Sequence, residues 1–356
     1  MRLSVVVPMR DCYGYVGPLL DNLDMQGLGE EEYEVVAVDD GSADGTAAEL
    51  SREAASRPNL RVVKLDGRGA GAARNAGTDA ARGDFLYFMD ADDSLLPGTL
   101  ARLLSRAEAD RLDCLLFGGE PVYATPELER LVPQYRGLLE RSWAPEGVVT
   151  GRDAIVAQAA IGDFCPCVWL MLLRTGAVRA AGARFPEGIV NEDNAFALRA
   201  VLGAGRLAVD PGSFYRYSVR EGSVTSSNRS GEARWLAHLE LLAIFEGEAR
   251  AAWADGDTEL AAAVRELSSW FAEVCVRDCP DDPLRVLAGR PEAAPLSPAA
   301  RLAGTAACER ARAEVAEDHS RALEAELAGR EAPGVRQSMA LLREALARRF
   351  GHGGTR

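Results

Sequence analysis

Three aspartates lie within four residues at the end of a short apolar run. The segment Phe85–Met89 is apolar, and Asp90, Asp92 and Asp93 follow it directly. Carboxylates this close repel one another, so a cation, hydrogen-bond donors or protonation must neutralise some of them. Oxygen ligands suit Mg²⁺ or Mn²⁺, which bind substrate phosphates. The cluster predicts a site for a divalent cation and a diphosphate; the structural alternative is that Asp92 or Asp93 caps a helix near Pro97.

A second pair of acids, Asp39 and Asp40, follows another apolar run and precedes small residues that open a helix. A carboxylate at either position can accept hydrogen bonds from a ribose or a nucleobase, but the same residue types are common in turns and caps. Further along, a G-x-G-x-x-A motif at residues 67–72 leads into a helix that carries Arg74, which can meet a phosphate or neighbouring acids. That motif also occurs in dinucleotide-binding turns, so an NAD(P)-dependent oxidoreductase is an alternative function.

These acids need a scaffold that brings them to one edge. Short β-branched runs alternate with amphipathic stretches through the first third of the chain, which predicts a βαβα succession. The predicted strands are Leu3–Val7, Tyr33–Val38, Arg61–Leu65, Phe85–Met89 and Leu112–Phe117, and the predicted helices between them are Val16–Leu28, Asp44–Ala55, Ala70–Ala81 and Pro97–Ala109. The pattern predicts an α/β fold with a doubly wound, mostly parallel sheet flanked by helices. Ligands bind such sheets at the carboxyl ends of the strands, where these acids lie.

Four motifs together resemble the inverting family 2 glycosyltransferases with a GT-A fold. They are Val5-Val-Val-Pro8, Val38-Asp39-Asp40-Gly41-Ser42-x-Asp44-Gly45-Thr46, Gly71-Ala-Ala-Arg74-Asn75-Ala-Gly77 and Asp90-Ala-Asp92-Asp93, in that family's order and spacing. The resemblance covers about residues 1–225. It implies that Pro8, Asp39 and Arg74 face the nucleotide of a sugar donor, with Asp40 in the same donor-binding group. It also implies that Asp90 and Asp92 hold the diphosphate through Mn²⁺ or Mg²⁺, with Asp92 as the metal ligand.

Residues 191–194, Asn-Glu-Asp-Asn, resemble the family's ED motif. The match implies that Asp193 is the general base and that Glu192 lies on the acceptor side. A carboxylate base also fits the residue types, because the histidines lie far from every motif in sequence, and the dipole of a helix that begins at Asp193 would stabilise its ionised form. The alternative is that both acids are ordinary residues of a first helical turn.

Two further residues are predicted from looser matches. The segment 215–223, which contains Arg216 and Arg220, resembles the donor-covering loop of related enzymes, where a basic residue can meet the leaving diphosphate. Arg220 is assigned to donor binding, although either arginine could equally form a surface ion pair. Trp169 resembles an aromatic position on the acceptor side, and its alternative is a core tryptophan.

The chain divides into three predicted regions. Residues 1–118 form the nucleotide-sugar-binding half of the GT-A domain, residues 119–230 form the acceptor-binding half with the ED motif, and residues 231–356 form a C-terminal helical region. The last predicted helix, near Val335–Phe350, has an apolar face and several arginines, which suggests membrane-surface contact, although packing on its own domain is favoured. The sequence leaves open whether these helices recruit an acceptor, a partner or a second copy in a homo-oligomer.

The overall charge narrows the choice of partners. There are 40 Lys and Arg residues against 54 Asp and Glu residues, a net charge of −14, which predicts no binding to nucleic acid.

The apolar runs are too short for a signal peptide or a membrane span. The seven irregularly spaced cysteines fit reduced thiols better than disulfides or zinc ligands. These features predict a cytoplasmic protein, either free or peripheral at the inner face of the membrane.

We therefore predict a metal-dependent, inverting glycosyltransferase. It would move a sugar from a nucleotide-diphosphate donor, with a UDP-sugar favoured, to a hydroxyl group of a polysaccharide, glycolipid, lipid-linked or small-molecule acceptor. The alternatives of other classes are the oxidoreductase and a catalytically silent scaffold that binds nucleotide sugars.

Overall fold

The computed structural model describes residues 1–133, 135–220 and 231–277. Within these residues, eight strands form one sheet in the order β3-β2-β1-β4-β7-β6-β8-β5. The strands are β1 (Leu3–Met9), β2 (Tyr33–Asp40), β3 (Leu60–Leu65), β4 (Phe85–Phe88), β5 (Ser94–Leu95), β6 (Cys114–Tyr123), β7 (Met171–Arg174) and β8 (Leu207–Val219). The core therefore lies along a single twisted sheet.

Helices connect the strands and cover the sheet. They are α1 (Val16–Asp24), α2 (Thr46–Ala54), α3 (Ala70–Ala80), α4 (Thr99–Ala109), α5 (Pro126–Leu131), α6 (Tyr135–Leu138), α7 (Gly151–Ile161), α8 (Thr175–Ala180), α9 (Asp193–Leu202), α10 (Glu232–Ala254) and α11 (Thr258–Arg277), with a 3₁₀ turn at Val168–Leu170. The first four predicted strands and the four predicted helices are confirmed, with bounds that differ by a few residues.

The first half of the sheet is parallel. β1 pairs with β2 on one side and with β4 on the other, and β2 pairs with β3. Every residue of β2 and β4 is buried, which explains why these strands appear in the sequence as continuous apolar runs that end in acids. Because β1, β2 and β4 are parallel neighbours, their carboxyl ends meet at one edge.

The second half of the sheet is mixed. β7 lies between β4 and β6 and is antiparallel to both, whereas β6 and β8 are parallel. The predicted strand Leu112–Phe117 is confirmed as the start of β6, but it is not the next parallel neighbour of β4. The segment from Tyr215 to Val219, which was predicted to belong to a loop, is the end of β8. A bulge at Gly118 offsets the pairing of β6 with β8, and Pro211 and Gly212 interrupt the alternation of β8 in the sequence.

Small residues allow α3 to lie directly on the sheet. A Cβ atom added at Gly77 would come within 2.3 Å of Val6 Cγ1, and one added at Gly71 would come within 2.6 Å of the Pro186 carbonyl oxygen. Either substitution would push α3 away from β1 or from the segment that precedes α9. The close packing brings Arg74, midway along α3, between the end of β4 and the start of α9.

The helical character predicted from residue 231 onward is confirmed as far as Arg277. α10 and α11 pack against each other, and α11 also packs against α7. The predicted helix near Val335–Phe350 lies outside the described residues. Among the helices that the structure describes, none combines the length and the apolar composition that crossing a bilayer requires.

Candidate active site

The three predicted strand ends come together at one edge of the sheet. Pro8 and Met9 at the end of β1 lie opposite Val38 and Asp39 of β2, and the acids that follow β4 lie on the other side of β1. This arrangement results from parallel pairing alone. It places the predicted donor-binding residues Pro8, Asp39 and Asp90 at one edge of the sheet.

Arg74 connects two motifs that are far apart in sequence. Its Nη2 lies 2.9 Å from Asp90 Oδ1, and its Nη1 lies 2.6 Å from Glu192 Oε1. Arg74 is only 8% exposed and also lies over the ring of Phe185. The guanidinium therefore ties the acidic end of β4 to the residue before α9, and both of its charged partners belong to the protein itself.

Asp92 is paired with Arg220, the residue that directly follows β8. Arg220 donates from Nε and Nη2 to Asp92 Oδ2, and its guanidinium also lies 5.3 Å from the centre of the Tyr15 ring. The hydrogen bond with Asp92 raises the pKa of Arg220. The structure thus brings together the predicted metal ligand and the predicted leaving-group cation.

The donor set at Asp92 fits a hard divalent cation. Both Arg220 hydrogen bonds go to Oδ2, and the Asp92 side chain remains 24% exposed. Within the described residues, no three His, Cys, Asp or Glu side chains form a ready metal cage. Mg²⁺ and Mn²⁺ need no such cage, since they bind through one or two carboxylates together with waters and substrate phosphates.

Asp93 has a structural environment unlike that of its neighbours. It is buried, and its two oxygens accept hydrogen bonds from the Tyr215 hydroxyl at 2.6 Å and from the Ser218 backbone N–H at 2.7 Å. Burial, together with the charge of Asp90, raises the pKa of Asp93 well above its usual range. The helix that follows, α4, begins after Gly98 without a side-chain cap, so neither Asp92 nor Asp93 caps it. Asp93 therefore joins β8 to the end of β4.

The adjacent acids Asp39 and Asp40 have different partners. Asp40 accepts hydrogen bonds from the backbone N–H groups of Arg68 and Gly69, both at 2.7 Å. Asp39 accepts one from the Ser42 backbone N–H at 3.1 Å, through Oδ1. In a dinucleotide-binding turn, the N–H groups before the helix would bind a pyrophosphate. Here Asp40 occupies two of them, which argues against the oxidoreductase alternative.

Asp193 is the first residue of α9, and it is partly buried. Burial and the neighbouring charge of Glu192 raise the pKa of Asp193 to about 7, although the charge of Arg74 opposes the shift. Loss of solvation therefore outweighs the stabilisation of the ionised form that the helix dipole is expected to give. A carboxyl group with a pKa near 7 is well matched to general-base catalysis at neutral pH.

A histidine lies closer to the ED motif than its sequence position indicated. Asn191, with a left-handed φ of 59°, precedes Glu192, and its side-chain nitrogen lies 3.0 Å from His238 Nε2 on α10. His238 is buried against Trp270 and Phe271. No local signal pointed to this contact, because 47 residues separate the two partners.

Trp169 is buried in an aromatic cluster. It is 7% exposed and stacks on Tyr215 at 4.4 Å and on Tyr217 at 5.3 Å between ring centroids. Its carbonyl oxygen accepts a hydrogen bond from the Tyr87 hydroxyl. The alternation of tyrosines at 215 and 217 was the available sign of a strand with one aromatic face. Trp169 thus supports the strand that carries the partners of Asp93, and little of its surface is left for an acceptor.

Comparison with known proteins relates part of the chain to a described family. Residues 4–168 match the family described as Glycosyl transferase family 2. The succinoglycan biosynthesis protein ExoO of Rhizobium meliloti is 34% identical over 203 residues, which are 54% of this chain and 54% of ExoO. The poly(ribitol-phosphate) beta-N-acetylglucosaminyltransferase TarS of Staphylococcus aureus is 29% identical over 248 residues, which are 68% of this chain and 40% of TarS. The chain thus spans about half the length of these relatives.

Two solved structures share the fold of this chain. The crystal structure of S. aureus TarS 1-349 in complex with UDP-GlcNAc superposes with a TM-score of 0.59 and 24% identity, covering 81% of this chain and 83% of that one. A second structure of TarS 1-349 matches with a TM-score of 0.52 and 25% identity, over 69% of this chain and 65% of that one. The predicted GT-A fold is therefore confirmed.

Proposed function

We propose that this chain, which contains a glycosyl transferase family 2 domain, is an inverting glycosyltransferase that uses a nucleotide-diphosphate sugar. One observation carries the proposal: the Arg74 guanidinium bonds Asp90 at 2.9 Å and Glu192 at 2.6 Å. Asp90, a predicted diphosphate-binding acid, and Glu192, the residue beside the predicted base, are therefore bridged by one side chain. A direct displacement requires this proximity, because the acceptor oxygen that the base deprotonates attacks the same sugar carbon from which the diphosphate leaves.

On the donor side, Pro8 and Asp39 would face the nucleoside. Asp39 Oδ1 accepts a hydrogen bond from the Ser42 backbone N–H, and the other carboxylate oxygen would accept one from a ribose hydroxyl or a base. Asp40, whose oxygens bind the turn before α3, would shape this pocket rather than contact the donor. Arg74 would likewise hold Asp90 in place. The TarS structure with UDP-GlcNAc supports a UDP-sugar as the first donor to test.

At the diphosphate, Asp90 and Asp92 would lie beside the leaving group. A divalent cation held by Asp92, either Mn²⁺ or Mg²⁺, would supply positive charge to the departing diphosphate. Arg220, already beside Asp92, can swing a short distance to the same phosphate oxygens and neutralise them as the bond to the sugar breaks.

On the acceptor side, Asp193 would take the proton from a hydroxyl group. The deprotonated oxygen attacks the anomeric carbon as the nucleoside diphosphate leaves, so the anomeric configuration inverts. Glu192, held in place by Arg74, would orient the acceptor. Trp169 would stabilise the site by packing behind Tyr215 and Tyr217 rather than by touching the acceptor. The names of ExoO and TarS support a polysaccharide or polyol-phosphate acceptor over a small molecule.

The decisive experiment measures release of free nucleoside diphosphate from a panel of UDP- and GDP-sugars with Mn²⁺, with poly(ribitol phosphate) or an oligosaccharide as acceptor. We expect release from at least one donor, and loss of release in Asp193→Asn and Asp92→Asn. The matched control is Asp79→Asn, because Asp79 is an exposed acid paired with Arg184 on the surface. Donor binding without release, under every acceptor tested, would favour the silent scaffold. Absence of both binding and release would reject the proposal.

A further inference from the structure

The hydroxyl group of Tyr215 contacts two of the three clustered aspartates. It donates a hydrogen bond to Asp93 Oδ2 at 2.6 Å and accepts one from the Asp90 backbone N–H at 3.4 Å. The Tyr215 side chain is fully buried, and its ring stacks on Trp169. Because a close-packed ring cannot shift freely, the hydroxyl is a fixed point for the acidic turn, the name used here for residues 90–93.

Two further contacts join the acidic turn to β8. The Ser218 backbone N–H donates to Asp93 Oδ1 at 2.7 Å, so both oxygens of Asp93 are bonded to β8. The strand β5, which directly follows the turn, pairs antiparallel with Tyr215 and Arg216 of β8. The turn is therefore bonded to one strand at its start, at Asp93 and just beyond its end.

The same stretch of β8 leads directly to Arg220. Arg220 lies two residues after Ser218, and it donates two hydrogen bonds to Asp92, the neighbour of Asp93. Adjacent residues of the turn thus bind nearby residues of one strand end. The position of Arg220 relative to Asp92 depends on the bonds that Asp93 makes.

The stability of the sheet does not by itself account for an aspartate at position 93. Asp93 is only 6% exposed and shares the turn with two other acids. Burying a carboxylate costs free energy even when it is paired, and replacing such a group with an apolar side chain is often neutral or stabilising. An aspartate adds two acceptor oxygens, which hold Tyr215 and Ser218 in one geometry.

We propose that Asp93 and Tyr215 are positioning residues that hold the end of β8 against the acidic turn and so set the place of Arg220 beside Asp92. Their effect on the donor rests on the proposed function, because it takes Asp92 and Arg220 as the groups that act on the diphosphate. Without the bond between Asp93 and Tyr215, the strand end and the turn can separate, and the diphosphate meets a less ordered site.

A matched pair of variants separates positioning from stability. Tyr215→Phe removes the hydroxyl group and keeps the ring that stacks on Trp169. Tyr87→Phe is the control, because Tyr87 is also fully buried but its hydroxyl donates to the Trp169 carbonyl oxygen, at 2.9 Å. Each variant loses one buried hydrogen bond, so we expect similar decreases in melting temperature. Differences between the variants in the two measurements below therefore report positioning.

The first measurement follows Arg220 and needs no activity. Nuclear magnetic resonance with isotope-labelled arginine detects the Arg220 Nε–H, which is assigned by its loss in Arg220→Gln. This proton donates to Asp92 and should exchange slowly with solvent in the wild type and in Tyr87→Phe. In Tyr215→Phe, exchange should be roughly fivefold faster or more, the effect of one lost hydrogen bond. Equal exchange in the two variants would overturn the proposal.

A substitute variant is at hand if Tyr215→Phe does not fold. Asp93→Asn keeps an acceptor oxygen for the Ser218 N–H but places an amide nitrogen where Tyr215 donates. It should speed the exchange of the Arg220 Nε–H in the same direction, and unchanged exchange in Asp93→Asn would overturn the proposal equally.

The second measurement is calorimetric binding of UDP with Mn²⁺ and of uridine. UDP affinity should fall roughly tenfold in Tyr215→Phe and stay at the wild-type value in Tyr87→Phe. Uridine, which has no phosphates, should bind all three proteins equally. Equal UDP affinity in the two variants would overturn the positioning role. Failure of the proposed function would appear instead as a wild type that releases no nucleoside diphosphate, and the exchange of Arg220 would still decide whether Tyr215 positions it.

Discussion

Arg220 donates two hydrogen bonds to a single carboxylate oxygen of Asp92, from Nε at 2.9 Å and from Nη2 at 2.7 Å. The guanidinium therefore occupies a position next to the predicted metal ligand. A divalent cation that approaches Asp92 meets a positive charge that must move or share the carboxylate. Once a diphosphate is present, the same guanidinium can stabilise it, so Arg220 should oppose binding of the metal alone and assist the reaction.

This relationship predicts opposite effects of Arg220→Gln on two measurements. Calorimetric titration with MnCl₂ alone should show tighter binding than in the wild type, because Asp92 loses its competing cation. The kcat for transfer should fall by roughly 10²-fold, the usual cost of removing one donor to a developing negative charge. Arg216→Gln is the control, since Arg216 pairs with Glu120 instead of Asp92. Weaker Mn²⁺ binding in Arg220→Gln would contradict the assignment.

The pH dependence of transfer should report Asp193. The pKa of Asp193 is raised to about 7, and only the ionised form can accept a proton. We therefore expect kcat/KM to rise with pH below about 7 and to level off above it. Asp193→Asn should lower kcat by about 10²-fold or more above pH 7, where Asp193 is ionised, and by less at lower pH. Steady-state kinetics from pH 5.5 to about 8.5 would check both expectations, and a rate that is flat across this range would exclude Asp193 as the base.

The same shift has a consequence for stability. An unfolded Asp has a pKa of ~3.9, and the folded pKa of Asp193 is about 7. As pH rises between these values, the unfolded state gives up its proton first, so the wild type loses stability over this window. Asparagine does not ionise. Asp193→Asn should therefore melt at a higher temperature than the wild type at pH 8, and the difference should shrink towards pH 4. Scanning calorimetry at pH 8 and pH 4 would measure the difference in melting temperature between the variant and the wild type. An equal difference at both pH values would refute the raised pKa of Asp193.

Arg74 should matter to the folded state as well as to the reaction. In Arg74→Met, Asp90 and Glu192 would face each other without their shared cation. Removing one partner of a buried ion pair costs about 3–5 kcal/mol, so we expect the free energy of unfolding to fall by that amount. Arg184→Met, which breaks an exposed pair with Asp79, should cost less than about 1 kcal/mol. Urea unfolding of the two variants would test the contrast.

Single substitutions of Asp39 and Asp40 should differ in their effects on stability and on nucleotide binding. Asp40→Ala leaves the Arg68 and Gly69 N–H groups without their acceptor, which should destabilise the protein by about 1–3 kcal/mol. Asp39→Ala should be milder for stability but should abolish the thermal shift produced by UDP, if Asp39 contacts the nucleoside. Loss of UDP binding confined to a stably folded Asp40→Ala would reverse the two assignments.

Part of this architecture follows from the sequence alone. The strands β1 to β4 and the helices α1 to α4 have local signals: short buried apolar runs, amphipathic spacing, and acids placed directly after the strands. Parallel pairing then brings the strand ends together, so the sequence predicts that Asp39, Asp90 and Asp92 lie at one edge of the sheet. Residues 191–194 resemble the ED motif of the family, and in the tertiary structure Arg74 joins Glu192 to Asp90.

Only the tertiary structure shows which partner each charged side chain has. Nothing local distinguishes Asp39, which accepts a hydrogen bond from the nearby Ser42, from Asp40, whose carboxylate binds a turn, because the partners of Asp40 come from another strand–helix unit. The mixed order of β7, β6 and β8 likewise joins residues far apart in the chain. The same holds for the contact of Asn191 with His238 and for the hydrogen bond from Arg141 to the Phe117 carbonyl oxygen. The spacing of apolar residues in the sequence indicates which face of a helix or strand is buried. The pairing of buried polar groups depends instead on distances between segments, and these are set only when the chain packs.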